Sequence, residues 1–213
     1  MSGGRVLVVG LIAGLGLGAQ SAEAACGGVK HVRPKVDRNP GRAPLAIGDS
    51  VLLGALGEVS GAGFEIDTRG CRSMREGLGV MRARRRAGTL PRFVVIALGA
   101  NSDITAGEIR AALRIAGRRR AVGMVTPTNG GPDPARIRAA ARRHKRLVSL
   151  DWVAYSRGRS GWFGGDGLHL GRGGAAGLAR LMGRALRRLY PRRVRFTEAP
   201  GPGGYAARSD PPR

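Results

Sequence analysis

Acidic residues are scarce in this 213-residue chain: 14 Asp and Glu stand against 37 Lys and Arg, a formal net charge of +23. Lysine is scarce as well. Only Lys30, Lys35 and Lys145 occur, so the other cations are arginines, spread along the whole chain. So lopsided a choice reads as composition bias rather than a groove built for nucleic acid, although a cationic surface attracts any polyanion. Aromatic residues make up 4%, too few for an obvious base-stacking platform, which argues against dedicated nucleic-acid binding. No apolar run reaches the ~20 residues of a membrane-spanning helix. The two cysteines, Cys26 and Cys71, lie too far apart in sequence for a metal site. Gly 37 and Pro 12 stay below low-complexity levels, and 42% hydrophobic content suffices for one folded domain.

What is present begins with a targeting signal. Arg5 precedes an apolar run from Val6 to Gly18, and Ala22-Glu23-Ala24 forms an A-x-A cleavage site. Residues 1–24 therefore read as a signal peptide, with no spanning segment left after cleavage and an exported, extracytoplasmic product. In an oxidising compartment two cysteines form one bridge by default, which pairs Cys26 with Cys71. The rival for Cys26 is lipidation, but Glu23 stands where a lipoprotein signal normally has leucine.

Residues 25–42 lack an apolar period and read as an extended arm. From there the chain alternates. Short apolar strands are predicted at Leu45–Ile47, Phe64–Asp67, Phe93–Leu98, Ala121–Val125 and Leu147–Leu150. Helical stretches separate them: Val51–Val59, Ser73–Ala87, Thr105–Ile115 with a capping box, Pro134–Lys145, and finally Gly171–Tyr190. Five alternations imply a five-stranded parallel sheet sandwiched by helices, an α/β domain over 43–190 with a basic, Pro/Gly-rich tail at 191–213. Ligands of such sheets bind beyond the carboxyl ends of the strands. That rule nominates the loops at 48–50, 68–73 and 99–103.

Chemistry-bearing residues sit at those ends. Ser50 follows the first strand and opens a helix, as a nucleophile would; an N-cap serine has the same address. A serine nucleophile needs a base. His31 lies in the arm and His144 in an arginine-rich helix end, both settings for solvated side chains. His169 differs, because Asp166 precedes it by three residues in Gly164-Gly165-Asp166-Gly167-Leu168-His169, near enough to orient the imidazole. Asn101, after the strongest strand, offers an amide to an oxyanion or caps its own loop. Trp152, Tyr155, Trp162 and Phe163 flank the histidine loop, either lining a cleft or packing on the last helix. The G-x-S-x-G elbow of α/β-hydrolases is excluded, since Leu52 stands where it needs glycine.

"IGDSV", "LGAN" and "DGLHL", in that order, resemble the motifs of the SGNH hydrolase superfamily, the GDSL-type esterases, over roughly Ala43 to Tyr190. The resemblance implies a flavodoxin-like three-layer α/β/α fold with Ser50 as nucleophile, His169 as base and Asp166 orienting it. It implies an oxyanion hole from the Ser50 N–H, a glycine N–H after the second strand, and the Asn101 side chain. No metal or cofactor is implied. The substrate would be an acyl ester, on a lipid or an acetylated glycan. The motifs look closest to secreted or envelope members, including cell-wall O-acetyltransferases. Two departures stand out. Ser102 separates Asn101 from Asp103, where the family usually has Asp directly after Asn. The glycine block offers either Gly70 or Cys71 as donor; Gly70 is favoured. Three readings follow: a secreted serine esterase, an O-acetyltransferase on envelope glycans, or a non-catalytic binder of anionic envelope polymers.

Overall fold

Continuous apolar runs become the central strands. The computed structural model describes residues 26–35 and 43–189; the expected signal peptide, the end of the arm and the tail at 191–213 lie outside the described residues. In chain order the strands are β1 (Lys30–Val32), β2 (Leu45–Gly48), β3 (Glu65–Thr68), β4 (Phe93–Ala97), β5 (Ala121–Val125) and β6 (Leu147–Leu150). The helices are α1 (Ser50–Leu53), α2 (Leu56–Gly61), α3 (Met74–Arg86), α4 (Ala106–Ala116), α5 (Asp133–Arg143), α6 (Trp152–Ser156) and α7 (Arg172–Leu189).

Strand order is β1-β3-β2-β4-β5-β6. The five expected strands pair in parallel, with Leu45 opposite Val94, Phe93 opposite Ala121 and Val122 opposite Leu147. A sixth, β1, joins antiparallel at the edge, Lys30 opposite Thr68. It lies within the arm, where the sequence shows no strand pattern, because three residues carry no periodicity and the pairing is imposed by tertiary anchors. His31 contacts Asp67 at 3.3 Å, and Cys26 bridges to Cys71 across 45 residues. The sulfur of Cys26 is thus committed to a disulfide, not to lipid. Opening the bridge with dithiothreitol should lower unfolding stability by about 4 kcal/mol, the chain-entropy value for a loop of that length. Denaturant titration with and without reductant measures it.

Because β2, β4 and β5 are covered on both sides, alternate residues feed two cores. Leu45, Ile47, Val94, Ile96, Val122 and Met124 face α3, α4 and α5. Ala46, Phe93, Val95 and Val125 face α2, α6 and α7, with Phe64 and Trp152 fully buried beside them. The layers are therefore α/β/α. Capping boxes at Ser73–Glu76 and Thr105–Glu108 start α3 and α4, the second as expected from the sequence. The single helix expected over Val51–Val59 is instead two short helices, α1 and α2, meeting at Gly54–Ala55. The loop carrying His169 approaches there: a Cβ at Gly54 would stand 3.4 Å from the Leu170 carbonyl oxygen. Among the described residues, no helix is long and apolar enough to cross a membrane.

Candidate active site

Ser50 is held by its neighbour. Asp49, not Ser50, caps α1: its Oδ1 accepts from the Val51 N–H at 3.0 Å. The capping role open to Ser50 is thereby taken, and its hydroxyl is free for other partners. Asp49 is 1% exposed, and its second oxygen, Oδ2, accepts from the Ala100 N–H at 3.2 Å. One buried carboxylate so ties the serine turn to the loop presenting Asn101. Burial pushes the Asp49 carboxyl above its ordinary range, while those two N–H donors pull the other way. The Thr68 hydroxyl donates to the Asp49 carbonyl at 2.8 Å, adding β3 to the same junction. Sequence reasoning missed Asp49; an aspartate directly before a helix start is the N-cap signal that marks it.

The histidine loop is built as a closed turn. Phe163 and Leu170 form a single antiparallel bridge, and the Gly164 N–H donates to the His169 carbonyl at 2.7 Å. Inside it Asp166 Oδ1 accepts from the Leu168 and His169 N–H groups, each at 3.0 Å. Its other oxygen, Oδ2, lies 2.5 Å from His169 Nδ1. The hydrogen bond from His169, then those two N–H groups, hold the Asp166 carboxyl far below the usual carboxylate range. An ionised partner fixes the tautomer: Nδ1–H donates to Asp166, which leaves Nε2 as acceptor. Ser50 Oγ lies 2.9 Å from Nε2 and donates to it. The structure thus brings together Ser50, His169 and Asp166 from opposite ends of the domain. His169 and Asp166 side chains are half exposed, 49% and 50%, so the site is an open surface feature rather than a tunnel.

Trp162 anchors this loop from below. Its ring stacks on buried Trp152, centroids 5.7 Å apart, and lies on a glycine face of α7. A Cβ at Gly177 would come within 2.4 Å of the indole, and one at Gly174 within 2.1 Å of the Trp162 carbonyl. The aromatic cluster therefore packs against the last helix; it is not an open platform. Gly177→Ala should destabilise the fold by about 1–3 kcal/mol through overpacking, less up to about 1 kcal/mol of regained helix propensity. Thermal unfolding of the variant beside the parent protein measures it.

The remaining expected residues are placed as follows. Asn101 is exposed in the loop that Asp49 restrains. Gly70 is buried, with the Cys26 carbonyl oxygen where its Cβ would be, at 2.4 Å, so only glycine fits. Cys71 beside it has a left-handed backbone, φ 54°. The Arg69 N–H donates to the Gly48 carbonyl, drawing this turn toward the serine turn. The disulfide thus pins a segment bordering the site. His31 and His144 stand elsewhere, His31 on Asp67 and His144 at the end of α5. Beside Ser50 lies a partly open pocket lined by Asp49, Val51, Ala100, Leu168 and the apolar side chains of Ala97 and Trp152. Among the described residues, no cluster of three or more His, Cys, Asp or Glu could hold a metal ion.

No protein-family model and no curated protein matches the chain. Solved structures do. The C-terminal catalytic domain of peptidoglycan O-acetyltransferase A from Streptococcus pneumoniae, solved with a methylsulfonyl adduct, aligns with TM-score 0.63 and 22% identity, over 69% of this chain and 93% of that one. A structure described as an acylhydrolase from Bacteroides fragilis gives 0.56 and 19%, over 73% and 91%. A carbohydrate esterase family 3 protein from Talaromyces cellulolyticus gives 0.50 and 16%, over 69% and 97%. At these identities the likeness is one of architecture, a central sheet with helices on both sides: the chain has the α/β/α fold of the SGNH hydrolases.

Proposed function

We propose that the chain is a secreted serine esterase that removes short acyl groups from esters, with Ser50 as nucleophile, His169 as general base and acid, and Asp166 as its orienting carboxylate. The observation that carries this reading is the continuous hydrogen-bonded path from Ser50 Oγ through His169 to Asp166. Ser50 Oγ attacks the carbonyl carbon while its proton passes to Nε2. The oxyanion is met by the Ser50 and Gly70 N–H groups and the Asn101 amide. Collapse breaks the bond to the alcohol oxygen, which takes the proton from His169. Water, deprotonated by the same imidazole, then releases the carboxylate and restores Ser50.

A mostly apolar pocket lined by Val51, Ala97, Ala100, Trp152 and Leu168 lies beside Ser50 and takes the acyl portion. The open rim suits a bulky alcohol portion such as a glycan. Likeness in fold to a peptidoglycan O-acetyltransferase domain and a carbohydrate esterase supports acetylated glycan as the substrate class. It also supports a second reading, O-acetyl transfer, in which a sugar hydroxyl replaces water in the last step. An assembled relay favours either over a purely charge-driven binder. Nitrophenyl acetate and nitrophenyl octanoate, assayed side by side with an acetylated glycan oligomer, test the proposal. Acetate release with little octanoate turnover is expected; acetylated acceptor in place of free acetate would select transfer, and no turnover of any ester would end both.

A further inference from the structure

The sheet edge opposite the candidate active site carries its own pattern. Three adjacent parallel strands are each entered through an arginine: Arg92 before β4, Arg120 before β5 and Arg146 before β6. Parallel pairing sets neighbouring strands about 4.8 Å apart, so the three form a row roughly 10 Å long. The side chains of Arg120 and Arg146 reach the end of α4, and Arg92 stands beside Arg120 at the start of the neighbouring strand. Arg120 donates through Nη1 to the Ala116 carbonyl at 3.3 Å and through Nε to the Leu90 carbonyl at 2.9 Å. Arg146 donates through Nη1 to the Gly117 carbonyl, and Arg85, from α3, donates to the same Ala116 carbonyl at 3.5 Å.

A helix end accounts for one such cation, since its dipole is worth about half a negative charge. Here four guanidinium groups gather, and none of the four belongs to any ion pair among the described residues. The crowding is felt: burial first, then the charges of Arg85 and Arg92, lower the affinity of Arg120 for its proton. Carbonyl bonds hold Arg85, Arg120 and Arg146 in fixed orientations, leaving their other N–H groups to meet a ligand. Several planar forks approaching from different sides suit a tetrahedral anion better than a planar carboxylate. The one aromatic side chain of the row, Phe93, is 1% exposed, so there is no stacking surface for bases.

We infer that Arg85, Arg92, Arg120 and Arg146 form a binding site for the phosphate groups of an anionic phosphodiester polymer, at the N-terminal edge of the parallel strands, remote from Ser50. The site anchors the protein to a charged matrix while the opposite edge stays free to act, and it does not depend on the esterase reading. The probe is poly(glycerol phosphate), titrated into the whole protein at about 0.15 M salt, where weak diffuse attraction is largely screened. The double variant Arg85→Gln/Arg92→Gln should bind about tenfold more weakly, with a shallower salt dependence and unchanged turnover of nitrophenyl acetate. Arg157→Gln/Arg172→Gln, exposed at the other edge, removes equal charge and should change affinity less than about threefold. Arg85→Lys/Arg92→Lys keeps charge without the fork and should recover only part of the loss. Inorganic phosphate should compete at millimolar concentration. Equal losses in the two glutamine doubles, equal binding of polyglutamate, or tighter binding of duplex DNA than of the polymer would each overturn the assignment.

Discussion

Ser50→Ala should abolish labelling by a fluorophosphonate and lower kcat on nitrophenyl acetate by at least about 10⁴-fold. No second hydroxyl is in hydrogen-bond contact with His169 Nε2 among the described residues, so the imidazole would have no nucleophile to activate. The variant should remain folded. Asp49 rather than Ser50 caps α1, and among the described residues the Ser50 hydroxyl bonds only to the half-exposed His169. Stability should therefore move by less than about 0.5 kcal/mol, the range of surface substitutions. His169→Ala should be nearly as severe, and the double variant little worse than either, because the two act as one unit. Intact-mass and peptide mass spectrometry of the labelled wild type should find the adduct at Ser50. A label on another residue, or a Ser50→Ala variant that keeps its rate, would remove the mechanism.

What the chain shows on its face and what it hides divide along physical lines. Phe93–Ala97 is readable because a strand covered on both sides must be apolar at every position, and the burial agrees. Thr105 and Glu108 mark their helix start because a capping box is a local bond pattern. Ser50, Asp166 and His169 are legible for a related reason. A serine at a strand end and an acid three residues before a histidine are short-range arrangements, although their meeting is not. Strand β1 is hidden: Lys30, His31 and Val32 are extended because of β3 and the bridge to Cys71. The α1–α2 break is hidden too, since the Leu170 carbonyl that approaches Gly54 comes from more than a hundred residues away. The bed for Trp162 reads in sequence only as a glycine-rich helix. Glycines at 173, 174 and 177 would count against α7 on propensity alone, yet each gives up a Cβ to make room for Trp162, 173 and 177 for its indole and 174 for its carbonyl.

Asn101→Ala is expected to cost about 10²–10³ in kcat, the size of one lost oxyanion donor, with KM changed far less. In the proposed mechanism the amide meets charge that exists in the tetrahedral state and hardly at all in the ground-state ester, so its loss falls on the chemical step. Its position depends on Asp49: one oxygen of that carboxylate fixes the N–H of residue 51, the other the N–H of residue 100, and so ties the serine turn to the loop that carries Asn101. Asp49→Asn should therefore imitate Asn101→Ala. An amide has a single acceptor oxygen, and its NH₂ would face an N–H donor, so one of the two loops must let go. The two substitutions should separate on stability. Asn101 is exposed and its removal costs little, whereas Asp49→Asn leaves a buried N–H without an acceptor and should lower unfolding free energy by about 1–3 kcal/mol. If Asn101→Ala kept full kcat while Asp49→Asn lost it, the backbone N–H groups alone would form the oxyanion hole and Asp49 would act on Ser50 alone.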